Sequence, residues 1–267
     1  MTMDRTIVTT SHKPGPESQA LAAEAAANLD SVLVDRQRKS LNQLRVENGI
    51  ENVLVVNKNQ LILHTPQGEY FFHPSMSIPR IKAIKQGKMD HMVAAMSLRS
   101  GFRVLDCTMG LGADAIVAAY AIGPDGDVTG IEAAPELALI VAKGLLNYRK
   151  GSAAGVEAMQ RIRVVCGHYL EVLRKQRENS FDVVYFDPMF RVPRHKSSSM
   201  VPVRGIVNSE PLSEAAVAEA LRVARLRVVL KDNEFSGEFE RLGFKKVIGG
   251  KYSPVAYGII EKQGTGI

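Results

Sequence analysis

Cysteine is scarce in this chain. Cys107 and Cys166 are the two among 267 residues, and they stand far apart, with neither metal nor redox spacing. Both fall beside predicted strand ends and are expected to be buried thiols, which suits a reducing cytosol. His12, His64, His73 and His91 show no ligand spacing, so no metal is expected. No stretch approaches the ~20 apolar residues needed to cross a bilayer. Residues 1–11 hold no apolar run of signal-peptide length. The expectation is a soluble, cytoplasmic protein with no membrane partner. Internal repeats and low-complexity tracts are also missing.

Hydrophobic residues make up 45% of the chain, enough for a real core, and the 23% that are charged argue against disorder. The length suits one large domain, or one of ordinary size with a small companion. The formal net charge is +6 and the pI about 9.3. That balance is compatible with a polyanionic partner such as nucleic acid, and also with many ordinary enzymes.

Residues 1–75 differ in pattern from the rest. A β-prone run at 6–10 precedes the turn Lys13-Pro14-Gly15-Pro16. Helices are expected at 17–29 and 39–48, then three short strands at 53–56, 61–64 and 69–72. This predicts a small N-terminal α/β subdomain over 1–75 and a main domain over 76–267. A helical segment at 78–98, interrupted near Gly87, opens the main domain. Seven strands follow, at 103–107, 128–132, 162–166, 183–187, 227–230, 244–248 and 257–260. Helices are expected at 113–121, 135–148, 169–176 and 213–225. Near-continuous apolar runs in the first, fourth and fifth of these strands indicate a sheet covered on both faces. Repeating βα units give an α/β fold with a doubly wound, mostly parallel seven-stranded sheet. The short link between the last two strands predicts an antiparallel hairpin at one edge.

The first of the seven strands ends in Asp106-Cys107-Thr108-Met109-Gly110-Leu111-Gly112. Gly110 and Gly112 permit a tight turn and close approach to a ligand, and the next helix points its N-terminus there. Gly110 to Ala115 also satisfies the dinucleotide pattern G-x-G-x-x-A, a weak signal when alone. Glu132 ends the next strand, 20 residues after Gly112. A carboxylate there can accept both ribose hydroxyls, which S-adenosylmethionine (SAM) and NAD share. Asp106 discriminates between the two. It would repel a pyrophosphate but tolerates the cationic amino-acid end of SAM. Asp114 at the helix start suits an ammonium in the same way, or serves simply as a helix-terminal carboxylate.

The second block is Asp187-Pro188-Met189-Phe190, at the end of the strand Phe181 begins. As the fourth strand of the main sheet it would neighbour the first across the topological switch point, so Asp187 would face the same cleft as Gly110. The block resembles the Asp/Asn-Pro-Pro-aromatic motif of methyltransferases that modify exocyclic base amines. A carboxylate and the Pro188 carbonyl would draw on the amine hydrogens, and Phe190 would stack on the base. The alternative is a strand-ending Asp-Pro turn with Phe190 in the core. Residues 191–211 then form a long loop with no obvious element. It carries Arg191, Arg194, His195, Lys196 and Arg204, and phosphate contacts are the natural use of Arg191, Arg194 and Lys196. Two further basic clusters, Arg36/Arg38/Lys39/Arg45 and Arg80/Lys82/Lys85/Lys88, are expected to be solvated helix faces. Gly167-His168-Tyr169 follows the third main strand, where adenine contacts would lie, or where His168 simply starts a helix.

Taken together these residues resemble the class I SAM-dependent methyltransferases, and more narrowly the bacterial small-subunit ribosomal RNA guanine-N2 methyltransferase J family. That family pairs Asp-x-Thr-x-Gly-Leu-Gly-x-Asp-Ala with a strand ending Val-Val-Tyr-x-Asp-Pro-Met-Phe, and both blocks stand here, at 106–115 and 183–190. Ala113 replaces an arginine usual in the family, and His168-Tyr169 replace two serines. The resemblance implies a Rossmann-like methyltransferase domain and SAM as cofactor, contacted at Ala113-Asp114, Glu132-Ala133, His168-Tyr169 and Asp187. It implies ribosomal RNA or the small ribosomal subunit as partner, and methyl transfer to guanine N2. Three alternatives stay open: a methyltransferase of a protein or small molecule, an NAD(P)-dependent oxidoreductase, and an RNA-binding module without turnover.

Overall fold

A computed structural model describes residues 6–58, 60–74, 76–188, 198–203, 205–206, 210–249 and 254–262. In chain order its elements are β1 (Ile7–Thr10), α1 (Pro16–Asn28), α2 (Leu41–Asn48), β2 (Val53–Asn57), β3 (Gln60–Thr65), β4 (Gly68–Phe71), α3 (Ser77–Lys85), α4 (His91–Met96), β5 (Arg103–Asp106), α5 (Ala113–Ile122), β6 (Asp127–Glu132), α6 (Pro135–Asn147), α7 (Ala153–Gln160), β7 (Arg163–Cys166), α8 (Tyr169–Lys175), β8 (Phe181–Phe186), a 3-10 helix (Ser198–Val203), α9 (Glu214–Val223), β9 (Ala224–Asn233), α10 (Glu238–Arg241), β10 (Lys246–Gly249) and β11 (Val255–Glu261). They fall into two compact units. One holds the chain up to His73 together with Ala134–Asn147 and the segment around the 3-10 helix.

In that unit a four-stranded sheet has the order β1-β2-β3-β4. β1 pairs parallel to β2, and the other pairs are antiparallel. Ile7, Leu44, Val53 and Val55 form its core. Local chemistry sets the ends of α2. Ser40 and Gln43 make a reciprocal capping box, and Gly49 takes the left-handed conformation (φ 63°) that closes the helix. α6 packs on this unit: Lys143 meets Glu24 at 2.8 Å, and Glu136 accepts a 2.6 Å hydrogen bond from Thr6.

The other unit is built on a seven-stranded sheet of order β10-β11-β9-β8-β5-β6-β7. β7, β6, β5, β8 and β9 run parallel, and β11 is antiparallel to both β9 and β10. The expected doubly wound sheet and edge hairpin are both present. β8 is buried along its whole length, as its continuous apolar run requires. Leu105, Val184, Phe186, Val228 and Leu230 pack under Leu173 of α8 and Ala216, Val217 and Ala220 of α9. Gly87, at φ 76°, separates α3 from α4. Three elements lie where no element was expected: α7, the short α10 and the 3-10 helix. Cys107 is buried, but Cys166 is exposed, against expectation. It ends β7, the outer strand of the sheet, which has a neighbour on one side only.

Gly144 of α6 lies so close to Phe72 that an added Cβ would stand 2.1 Å from the ring's Cγ. Gly144→Ala should therefore destabilise the protein by about 1–3 kcal/mol through overpacking. Urea unfolding reads the loss, and adding Phe72→Ala should make the cost of the glycine change vanish.

Candidate functional site at the strand carboxyl ends

The crossover between β5 and β8 opens the sheet at its carboxyl edge, and the glycine-turn and Asp-Pro blocks of the sequence meet there. The chain leaves β5 at Asp106, whose carboxylate accepts a bond from the Thr108 N–H at 3.1 Å. Gly110 and Gly112 then adopt φ of 51° and 74°, the left-handed region that glycine tolerates best. A Cβ on Gly110 would meet nothing within 4 Å, so the turn faces open space. The Gly110 N–H donates to Glu132 Oε2 at 3.1 Å, joining the turn to the end of β6. Glu132 is buried, and Ala133 follows it out of the strand.

Thr108 ties the two blocks together. Its Oγ1 accepts a 2.5 Å hydrogen bond from the Asp187 N–H, just past the end of β8. The backbone continues the same pairing, with the Cys107 N–H donating to the Tyr185 carbonyl at 2.9 Å. Asp187 and the glycine turn therefore share one cleft, as the strand order predicts.

A charged network lies beneath them. Lys231 Nζ, near the end of β9, is 2.7 Å from Asp187 and 2.9 Å from Asp114. The Tyr185 hydroxyl donates to Asp114 at 2.7 Å, and Arg80 completes the ring around Asp114. Arg80 also pairs with Asp90, at 2.7 and 2.8 Å through two nitrogens, and Asp90 in turn caps α4. Arg80 is thus no solvated helix-face residue: its side chain is 25% exposed and turned into the unit. Lys231, Thr108 and Tyr185 were not singled out as site residues from sequence. A lysine closing the apolar run Val228-Val229-Leu230, beside the strand that ends in Asp187, is the signal that could have found Lys231.

The electrostatics follow from these neighbours. Burial pushes Asp114 up, but Lys231 and Arg80 overcome it and hold its carboxyl below the usual range. Lys231 loses by burial and gains more from its two carboxylates, so it keeps its proton far above the ordinary lysine value. Asp187 shares that ammonium with Asp114 and so receives only part of its benefit. Burial and the Asp114 charge outweigh it and lift Asp187 to about 6. The side chain is 27% exposed, and water moderates that rise. Asp106, 2% exposed, is lifted to about 8 by burial and by the Asp114 and Asp187 charges, against the Thr108 bond that lowers it. Among the described residues Asp90, Asp106, Asp114 and Asp187 together face two cations, Arg80 and Lys231. The cleft is short of positive charge, so a cationic ligand is favoured and a pyrophosphate repelled.

Around the rim, His168 caps α8, its Nδ1 accepting from the Leu170 N–H at 3.3 Å. The Gly167 N–H donates to the Glu132 carbonyl at 2.9 Å, and Tyr169 packs edge-on to Phe186. Ala113 and Asp114 open α5. Pro188 is half-buried beside Asp187. Met189, Phe190, Arg191, Arg194 and Lys196 lie outside the described residues. Among the described residues no helix is long and apolar enough to cross a membrane.

Two expectations follow from the network. Lys231→Met leaves Asp114 and Asp187 with an uncompensated charge, and should cost about 3–5 kcal/mol in urea unfolding; adding Asp114→Asn should recover part of it. Asp106 binds its proton more tightly folded than unfolded. Between its free value near 4 and its folded value of about 8, the folded state holds the extra proton and stability falls as pH rises. Asp106→Asn, which keeps an acceptor for Thr108, should therefore gain on the wild type steadily from pH 5 to pH 8 in thermal melts. A constant difference across that interval contradicts the assignment.

Comparison with known proteins agrees with this geometry. Residues 37–251 match the family described as "Putative SAM-dependent methyltransferase". Over 256 residues the chain is 37% identical to "Uncharacterized protein YpiP" of Bacillus subtilis, covering 96% of this chain and 99% of that one. It is 34% identical over 158 residues to ribosomal RNA small subunit methyltransferase J of Tolumonas auensis, spanning 57% of this chain and 61% of that protein. The crystal structure of the SAM-dependent methyltransferase NGO1261 from Neisseria gonorrhoeae covers 98% of this chain and 97% of its own, with a TM-score of 0.64 at 16% identity, and so shares the fold. The oxidoreductase suggested by the six-residue glycine pattern is set aside. The chain belongs to the SAM-dependent methyltransferase family, with S-adenosylmethionine as its cofactor.

Proposed function

We propose that this methyltransferase modifies an exocyclic amine of a ribosomal RNA base, guanine N2, within the small ribosomal subunit or its RNA. The observation that carries the reading is the Asp187–Thr108 hydrogen bond of 2.5 Å, which holds the Asp-Pro block against the cofactor turn. The 34% identity to a protein named ribosomal RNA small subunit methyltransferase J supports the RNA substrate. Such a substrate implies a cytoplasmic site of action.

The residues present fit SAM: open space over Gly110, a buried Glu132 at the next strand end, and a carboxylate-rich floor. Glu132 and Ala133 would hold the ribose. Asp106, with the backbone of Gly110, Gly112, Ala113 and the Asp114 carboxylate, would face the amino-acid end, and Gly167, His168 and Tyr169 the adenine. Bound SAM supplies an electrophilic methyl group on a cationic sulfur. Asp187 and the Pro188 carbonyl accept the amine N–H bonds and turn the nitrogen lone pair toward the cofactor side. The Asp187 carboxylate then takes the proton the nitrogen sheds, and a carboxyl lifted to about 6 is a better base for this than an ordinary one. Lys231 holds that carboxylate in place. Phe190 would stack on the base, and Arg191, Arg194 and Lys196 would contact phosphates. A guanine paired within a helix would have to leave its stack. Orientation supplies much of the rate.

Tritiated methyl from SAM should enter ribosomal RNA from a strain lacking the protein. Asp187→Ala should lower turnover about a hundredfold or more while SAM binding by calorimetry persists. The wild-type rate should climb with pH through about 6, as Asp187 ionises. Label entering protein or a small molecule, and no RNA, would move the substrate to that class.

A further inference from the structure

The basic cluster of Arg36, Arg38, Lys39 and Arg45 plays no part in the chemistry above. Lys39 is neutralised by Glu47 at 2.6 Å. Arg36 and Arg45 are not neutralised. Half-buried Arg36 donates to the Lys39 carbonyl at 3.3 Å and the Thr10 carbonyl at 3.5 Å. Arg45 donates to the Glu51 carbonyl at 2.8 Å and to Asn42 Oδ1 at 3.2 Å. All four acceptors are uncharged. Each guanidinium is anchored on one side and keeps donors in reserve, since it has five N–H groups. No ion pair engages either arginine among the described residues, and burial pushes the Arg36 guanidinium down.

Both arginines border a concavity of about 500 Å3 within the N-terminal unit, with His12, His64 and Thr65. His64, on β3, feels the field of the pair. Burial lowers its pKa, Glu69 raises it, and Arg45 and Arg36 lower it again. Glu69, 3.3 Å from His64, is the one carboxylate in the lining among the described residues. The rim also meets the 3-10 helix of the same unit. Thr65 Oγ1 donates to the Pro202 carbonyl at 2.7 Å, and a Cβ on Gly68 would stand 3.3 Å from Pro202 Cγ.

We propose that this concavity is a phosphate-recognition subsite for the substrate RNA, with Arg36 and Arg45 as the paired donors and His64 on its floor. Planar guanidinium forks suit phosphate oxygens. Their placement on two segments, the loop before α2 and α2 itself, matches successive phosphates of a chain better than one free anion. The proposal rests on the RNA reading above.

The test uses the full chain, a fluorescent single-stranded fragment of small-subunit ribosomal RNA, and inorganic phosphate as a second titrant. Arg36→Gln with Arg45→Gln should weaken RNA binding about tenfold and flatten the log–log salt slope by about 1.4, two contacts on a single strand. SAM affinity should stay unchanged, and the double lysine variant should keep most of the RNA affinity. RNA affinity and slope unmoved in the glutamine variant would overturn the subsite and leave the RNA substrate standing. A wild type that binds no RNA overturns both readings. Inorganic phosphate that displaces RNA at equal phosphate concentration overturns the RNA assignment of the subsite. Histidine NMR of the wild type needs no variant to fold: the fragment should raise the His64 pKa, and an unmoved His64 rejects the proposal.

Discussion

The ammonium of Lys231 lies between two carboxylates, 2.7 Å from Asp187 and 2.9 Å from Asp114, and the cleft is organised around that contact. It joins β9 to the end of β8 and to the first turn of α5, and the Tyr185 hydroxyl ties β8 to α5 a second time. Arg80 extends the arrangement to α3, and Asp90 to α4. A buried charge without its partner is costly, so each member constrains the position of the next. Lys231 holds the Asp187 carboxylate, and Thr108 holds the Asp187 backbone N–H.

This arrangement also sets the chemistry. Among the described residues four carboxyl groups share two cations. Asp114 receives the largest share of positive charge and stays ionised. Asp187 receives less, and Asp106 least, so their carboxyls climb in that order, to about 6 and about 8. A cofactor bearing a sulfonium and an ammonium supplies the missing positive charge. A dinucleotide would deepen the deficit.

Much of the architecture was legible because it rests on local rules. The apolar runs at Val104-Leu105 and Val183-Val184-Tyr185-Phe186 could only be strands covered on both faces, and the short final link could only join an antiparallel pair. The misses have equally local reasons. α7 carries a glycine in an eight-residue span, and α10 is a single turn, so neither shows a clear period. The placement of α6 with the N-terminal unit rests on contacts between distant residues, Gly144 with Phe72, Lys143 with Glu24 and Glu136 with Thr6. Cys166 shares the strand-end position of Cys107, and only the sheet order leaves it on an outer strand.

The amino-acid sequence by itself determined the βα alternation, the positive-φ turn at Gly110 and Gly112, and the Asp-Pro block at the end of a buried strand. Periodicity, steric freedom at glycine and strand polarity are properties of neighbouring residues, so they can be read along the chain. Tertiary structure alone decided that Lys231 and Arg80 are the cations of the site, that Glu132 accepts from Gly110, and that Arg36 and Arg45 border a concavity. Those depend on which strands lie side by side and on how much water each charge retains. Desolvation and Coulomb energy act through space, between residues such as Asp114 and Lys231 that the chain holds 117 positions apart.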